Sequence, residues 1–151
     1  MIKFYWYHIT EKNWSNTILL KPKQFGNNWG SNESGPPRIC VSPTIEQCFA
    51  AIPYSEYDSD YKVYRTQHKE IAENADKNVV DDTNITDEHW IFVPTVFIKV
   101  LTIPMLDMKS FPKLTSQNLT SQNQVKVIKY VKSYLVDKNI IGEISYKDFY
   151  I

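Results

Sequence analysis

Ile2-Lys3-Phe4-Tyr5-Trp6-Tyr7-His8-Ile9, the run that ends at Thr10, decides how the rest of the chain is read. It is dense in aromatic strand formers and predicts a first β-strand. Alternation sets Ile2, Phe4, Trp6 and His8 on one face and Tyr5, Tyr7 and Ile9 on the other. Both faces are largely apolar, which predicts an inner strand. His8 stands at its end, just before a polar loop. A polar aromatic there presents a ring nitrogen to a ligand; the plainer alternative is a core histidine with a hydrogen-bond partner.

Working outward, Thr17-Ile18-Leu19-Leu20 is a second short strand stopped before Pro22. Residues 23–37 hold three of the four glycines and several asparagines, and read as a long irregular loop of the kind that carries function. Arg38-Ile39-Cys40-Val41-Ser42 predicts a buried strand. The next turn predicts a helix to Ile52, with Ser42 as N-cap, Pro43 in the first helical position and Glu46 in the first turn. Strands follow at 61–66, 89–93 and 96–101, the last two split by Pro94. Val125, Ile128, Val131 and Leu135 recur at helical spacing and predict an amphipathic helix over 121–136. A last strand is expected at 140–146. The sum is a mixed α+β, strand-rich single domain over residues 1–151, with a core over about 1–103 and a C-terminal helix and strand added over 104–151.

Seventeen basic residues balance seventeen acidic ones. Without a net positive charge, strong general nucleic-acid binding is not expected. No apolar run approaches the ~20 residues of a spanning helix, and residues 1–10 lack the pattern of a secretory leader, so no membrane partner and a cytoplasmic location are expected. Cys40 and Cys48 then read as free thiols. The richness in Asn, Lys, Ile and Tyr is typical of an AT-rich bacterial or phage genome.

Several common machines are absent: no phosphate-binding glycine loop, no dinucleotide fingerprint and no Gly-x-Ser-x-Gly elbow. The three histidines, His8, His68 and His89, are not spaced as a helical metal pair, and no metal site is expected. What remains is His8, Ser42 at a helix N-terminus with free backbone donors, and Glu88 just ahead of a late strand. Each has a plain alternative: core histidine, simple cap, solvated turn acid.

Tyr7-His8-Ile9-Thr10, followed by Asn13-Trp14 and Ile18-Leu19-Leu20-Lys21-Pro22, resembles the opening of ADP-ribosyltransferase-like domains. That superfamily includes poly-ADP-ribose polymerase-type enzymes, DNA-modifying toxins and tRNA 2′-phosphotransferases. Glu88 with Trp90-Ile91-Phe92-Val93-Pro94 and the following strand looks like the family's late catalytic glutamate. The turn before Pro22 lacks the family's glycine, and Glu143 is a rival acid. The resemblance implies two small packed sheets with a cleft that holds NAD as substrate. His8 and Thr10 would orient the nicotinamide-side ribose, with Ser42 near the cofactor. Tyr5, Tyr7 or Tyr64 would stack on the nicotinamide, and Glu88 would stabilise an oxocarbenium-like transition state. The function implied is NAD-dependent ADP-ribosyl transfer or NAD glycohydrolysis, on a macromolecular acceptor that the sequence does not name. The alternative is a non-catalytic accessory module that binds a small-molecule nucleotide or a protein. A third possibility is a small assembly protein that uses the 121–136 helix as its interface.

Overall fold

The computed structural model describes residues 5–23, 35–51, 59–67, 72–80, 82–115 and 117–138. Within them the chain is an α+β domain of seven strands and four helices. In chain order these are β1 (Tyr7–Thr10), β2 (Thr17–Leu20), β3 (Ile39–Val41), α1 (Ile45–Ala50), β4 (Tyr61–Thr66) and β5 (Glu73–Asn74). They continue with α2 (Thr83–Thr86), β6 (His89–Ile91), β7 (Thr95–Ile103), α3 (Met105–Met108) and α4 (Ser121–Asp137). The strands form two antiparallel sheets, ordered β1-β4-β7-β2 and β3-β6-β5.

β1 is not the inner strand that its apolar faces predicted: it lies at one end of the four-stranded sheet. Both its faces are nevertheless covered, because that sheet is packed on two sides. On one side Tyr7, Ile9, Tyr61, Val63 and Ile103 meet Phe49 of α1 and Val127, Val131 and Leu135 of α4. On the other, Trp6, Tyr64 and Phe97 meet Ile39, Val41 and Ile91 of the second sheet. Trp90 leaves the far face of that second sheet and packs on Ala75 and Val80.

One irregularity lets a single strand serve both cores. Along β7, Tyr64 pairs with Lys99 but Val63 pairs with Leu101, so Val100 is an extra residue opposite β4. Such a bulge reverses the facing of everything beyond it. Leu101 and Ile103 accordingly pack toward the helices while Phe97 packs toward the second sheet.

The amphipathic 121–136 pattern is α4, with Thr120 capping it through a bond from the Asn123 amide. Its apolar stripe packs on the domain's own sheet. Gln124, buried inside that stripe, donates through Nε2 to the Ala50 carbonyl at 3.0 Å and to Asp82 Oδ2 at 2.6 Å. These bonds tie α4 to the end of α1 and the start of α2. The 89–93 strand stops at Ile91, and β7 runs one residue before and two beyond the expected 96–101, from Thr95 to Ile103. The expected strand at 140–146 lies outside the described residues, as does most of the 23–37 loop.

Candidate functional site

The two sheets meet along one edge of β3. Arg38 exchanges backbone bonds with Lys23 (3.0 Å each way), and Ser42 does so with Tyr7 (2.9 and 3.1 Å). Residues 38, 40 and 42 point their backbone groups to the same edge, by strand alternation. Between the two bridges lies the Cys40 carbonyl. There the ladder opens and the His8 ring takes the place of a strand amide, with Nδ1 2.9 Å from the Cys40 oxygen. A carbonyl only accepts, so Nδ1 carries the proton and the neutral ring leaves Nε2 as a lone-pair acceptor. Trp14 lies nearly parallel to the imidazole, centroids 6.0 Å apart and planes at 13°, and Phe97 lies 6.1 Å away. Burial lowers the His8 pKa, outweighing the Cys40 bond, which favours the charged form.

The consequence for stability has a definite sign. The unfolded chain takes up the proton near the ordinary value of 6.5, before the folded one does. The folded state is therefore at full stability above that pH and loses stability as pH falls from it toward the lower folded value. His8→Asn keeps an N–H for the Cys40 carbonyl but cannot titrate. Urea midpoints measured between pH 7.5 and 5 should fall less steeply in this variant than in the wild type.

The loop that carries Trp14 is fastened from below. Tyr64 is fully buried and shares its hydroxyl proton between the Ser15 carbonyl (2.8 Å) and the Trp14 carbonyl (3.1 Å). Lys62 Nζ donates to the Glu11 carbonyl at 3.0 Å, and Thr10 Oγ1 accepts from the Lys12 amide at 3.1 Å. Tyr64 is thus an anchor, and its ring has no surface on which a nicotinamide could stack. Burial raises its pKa. Tyr7 is likewise shut in the core against α1. Tyr5 keeps part of its surface, with the Arg65 guanidinium 4.0 Å from its ring centre.

Glu88 is on the other side of this layer. Val41 pairs with His89, and Ser42 with Tyr7. Extending that register sets His8, Val41 and His89 in one row, and Tyr7, Ser42 and Glu88 in the next. Successive rows face opposite ways. His8, Thr10 and Tyr64 therefore share one face, while Tyr7, Ser42 and Glu88 share the opposite one. The two residues expected to converge on one ribose, His8 and Glu88, do not meet. The reason is parity: an odd step along either strand changes the face, and an even one keeps it.

Glu88 is not a solvated turn acid either. It is 7% exposed, and its Oε2 accepts from Trp90 Nε1 at 2.7 Å. Trp90 in turn carries the buried Arg38 guanidinium 4.3 Å from its ring centre. Cys48 lies close by, with its Sγ 3.3 Å from the Tyr7 carbonyl. Burial is the main reason its thiol pKa is pushed up; the Glu46 and Glu88 charges add to this, and hydrogen bonding with Ser42 opposes it. The thiol is inert at neutral pH. Ser42 is not the helix cap: both its backbone groups are spent on Tyr7, so α1 starts later, at Ile45, under Thr44, whose hydroxyl accepts from the Gln47 amide at 3.2 Å.

Arg38, Glu46 and Trp90 were not singled out from sequence as neighbours of Glu88. A signal existed for Arg38, a lone charge in an otherwise apolar strand. Nothing in the sequence marks His89 as a site residue beyond its place at the start of a strand, next to Glu88. Glu143 and His68 lie outside the described residues. Among the described residues no cluster of His, Cys, Asp or Glu is arranged to hold a metal, and no helix is long and apolar enough to cross a membrane. No protein-family model, no curated protein and no solved structure matches the chain.

Proposed function

We propose that the chain is a non-catalytic nucleotide-binding module, and that its ligand, of the NAD or ADP-ribose class, is read on the His8 face. One observation carries this: a neutral imidazole is fixed by the Cys40 carbonyl with its Nε2 lone pair left over, and an indole lies parallel to it on an anchored loop. An Nε2 acceptor suits a sugar hydroxyl, and an indole offers apolar surface to a base or a sugar ring. Cys40 and Cys48 form no disulfide with each other, which fits a reducing, cytoplasmic setting. A protein ligand is the competing occupant of the same surface.

Calorimetry with ADP-ribose tests the reading. His8→Asn retains the donor to Cys40 and loses the acceptor, so the fold should persist while affinity drops about tenfold, the order expected for one hydrogen bond plus lost ring contact. Equal affinity in the variant removes His8 from the site.

NAD-dependent ADP-ribosyl transfer or glycohydrolysis is the second reading. What favours it is that Ser42 and Glu88, two residues assigned by the resemblance, sit together on one face beside Cys48. It requires nicotinamide release that Glu88→Gln abolishes. The first reading predicts no release from either protein.

A further inference from the structure

We infer that His89 is a second ligand-reading residue on the His8 face, and that the pair selects a ligand offering two hydroxyl donors. The inference rests on the nucleotide-binding reading and deepens it. His89 Nδ1 lies 2.7 Å from the Asp87 carbonyl, so this ring too holds its proton on Nδ1 and, when neutral, leaves Nε2 as an acceptor. Asp87 is the one non-glycine residue with positive φ among those described (φ 49°). That left-handed turn ends α2 and brings the carbonyl back onto His89. Trp6 backs the His89 ring at 4.5 Å, as Trp14 backs His8.

The arrangement is thus repeated: a backbone carbonyl fixes each imidazole, and an indole covers one side of it. The register sets the two histidines in one row with Val41 between them. Two strand spacings separate their Cα atoms by roughly 10 Å, and both side chains lean toward the inter-sheet side, where Trp6 and Phe97 lie. The His89 side chain is 15% exposed, and His8 is also partly exposed. Two lone-pair acceptors repel a phosphate oxygen and accept from hydroxyls. The ligand class is therefore glycosyl or polyol, with the hydroxyl-bearing sugar, and not the phosphates, set against this row.

Imidazole-detected 15N NMR at pH 8 gives the test, with ADP-ribose and inorganic phosphate as separate probes. ADP-ribose should move the Nε2 resonances of both His8 and His89, and phosphate should move neither. His89→Asn, which keeps a donor for the Asp87 carbonyl, should bind ADP-ribose about tenfold more weakly with an unchanged melting temperature. If ADP-ribose binds, shifts His8 alone and binds His89→Asn as it does the wild type, the inference is overturned and the nucleotide-binding reading stands. Phosphate moving both resonances overturns the hydroxyl selectivity. No binding of ADP-ribose at all overturns both.

Discussion

Glu88→Ala is expected to destabilise the fold, with the orphaned Trp90 indole N–H alone costing about 1–3 kcal/mol. The 2.7 Å bond to Glu88 Oε2 is buried, so water does not replace it without rearrangement. The cavity left by the side chain adds to the cost. The Arg38 guanidinium over Trp90 makes the neighbourhood more sensitive still, because a buried cation is costly once a nearby carboxylate is removed. Glu88→Gln keeps an oxygen for the indole and should lose less. Urea denaturation of both variants checks this. If alanine and glutamine leave the midpoint unchanged, Glu88 does not hold the second sheet, and a role in chemistry regains force.

Phe49→Ala should have the largest effect of any single truncation considered, about 3–5 kcal/mol by comparison with other buried aromatic deletions. Phe49 has no exposed surface, and its ring meets Tyr61 at 6.0 Å and Phe111 at 5.6 Å. It fastens short α1 to the four-stranded sheet and to the segment before α4. A helix of six residues has little stability of its own and depends on such an anchor. Against a total stability of about 5–15 kcal/mol for an ordinary domain, the variant should be partly unfolded at 37 °C by circular dichroism. Phe49→Leu should lose far less, because most of the volume remains. A Phe49→Ala protein melting within a few degrees of the wild type contradicts this packing.

Much of the fold was legible because its signals are local. β4 coincides with the alternation at 61–66, and α4 with the helical stripe at 121–136, extended by one residue. The mixed α+β, strand-rich class follows from those patterns; the pair of small sheets was implied only by the family resemblance. Features set by tertiary contacts were not legible. Ser42-Pro43 is a strong local signal for a helix start; the structure spends Ser42 on a bridge to Tyr7, thirty-five positions away, and passes the cap to Thr44. α3 has no capping side chain of its own; Asp60, from just before β4, accepts from the Met105 amide at 2.7 Å. The bulge at Val100 leaves no mark in the residue order, since Phe97, Lys99, Leu101 and Ile103 alternate without a break.

The site divided along the same line. His8 is legible as the polar end of an aromatic strand, whereas its partner, a backbone carbonyl, is tied to no residue type. Glu88 is marked by its place just ahead of a late strand, and the resemblance adds its role, but the face it points to depends on register across three strands, which adjacent residues do not encode. His89 therefore shares the His8 face while the carboxylate one position earlier does not.

The affinity of Glu88→Gln for ADP-ribose, measured by calorimetry against the wild type, tests this division most directly. A ligand read from the face of β3 and β6 opposite Glu88 should bind the folded variant within about twofold of the wild type, well below the tenfold that 1.4 kcal/mol represents. Loss of tenfold or more in a variant that stays folded, or no binding by the wild type, contradicts it.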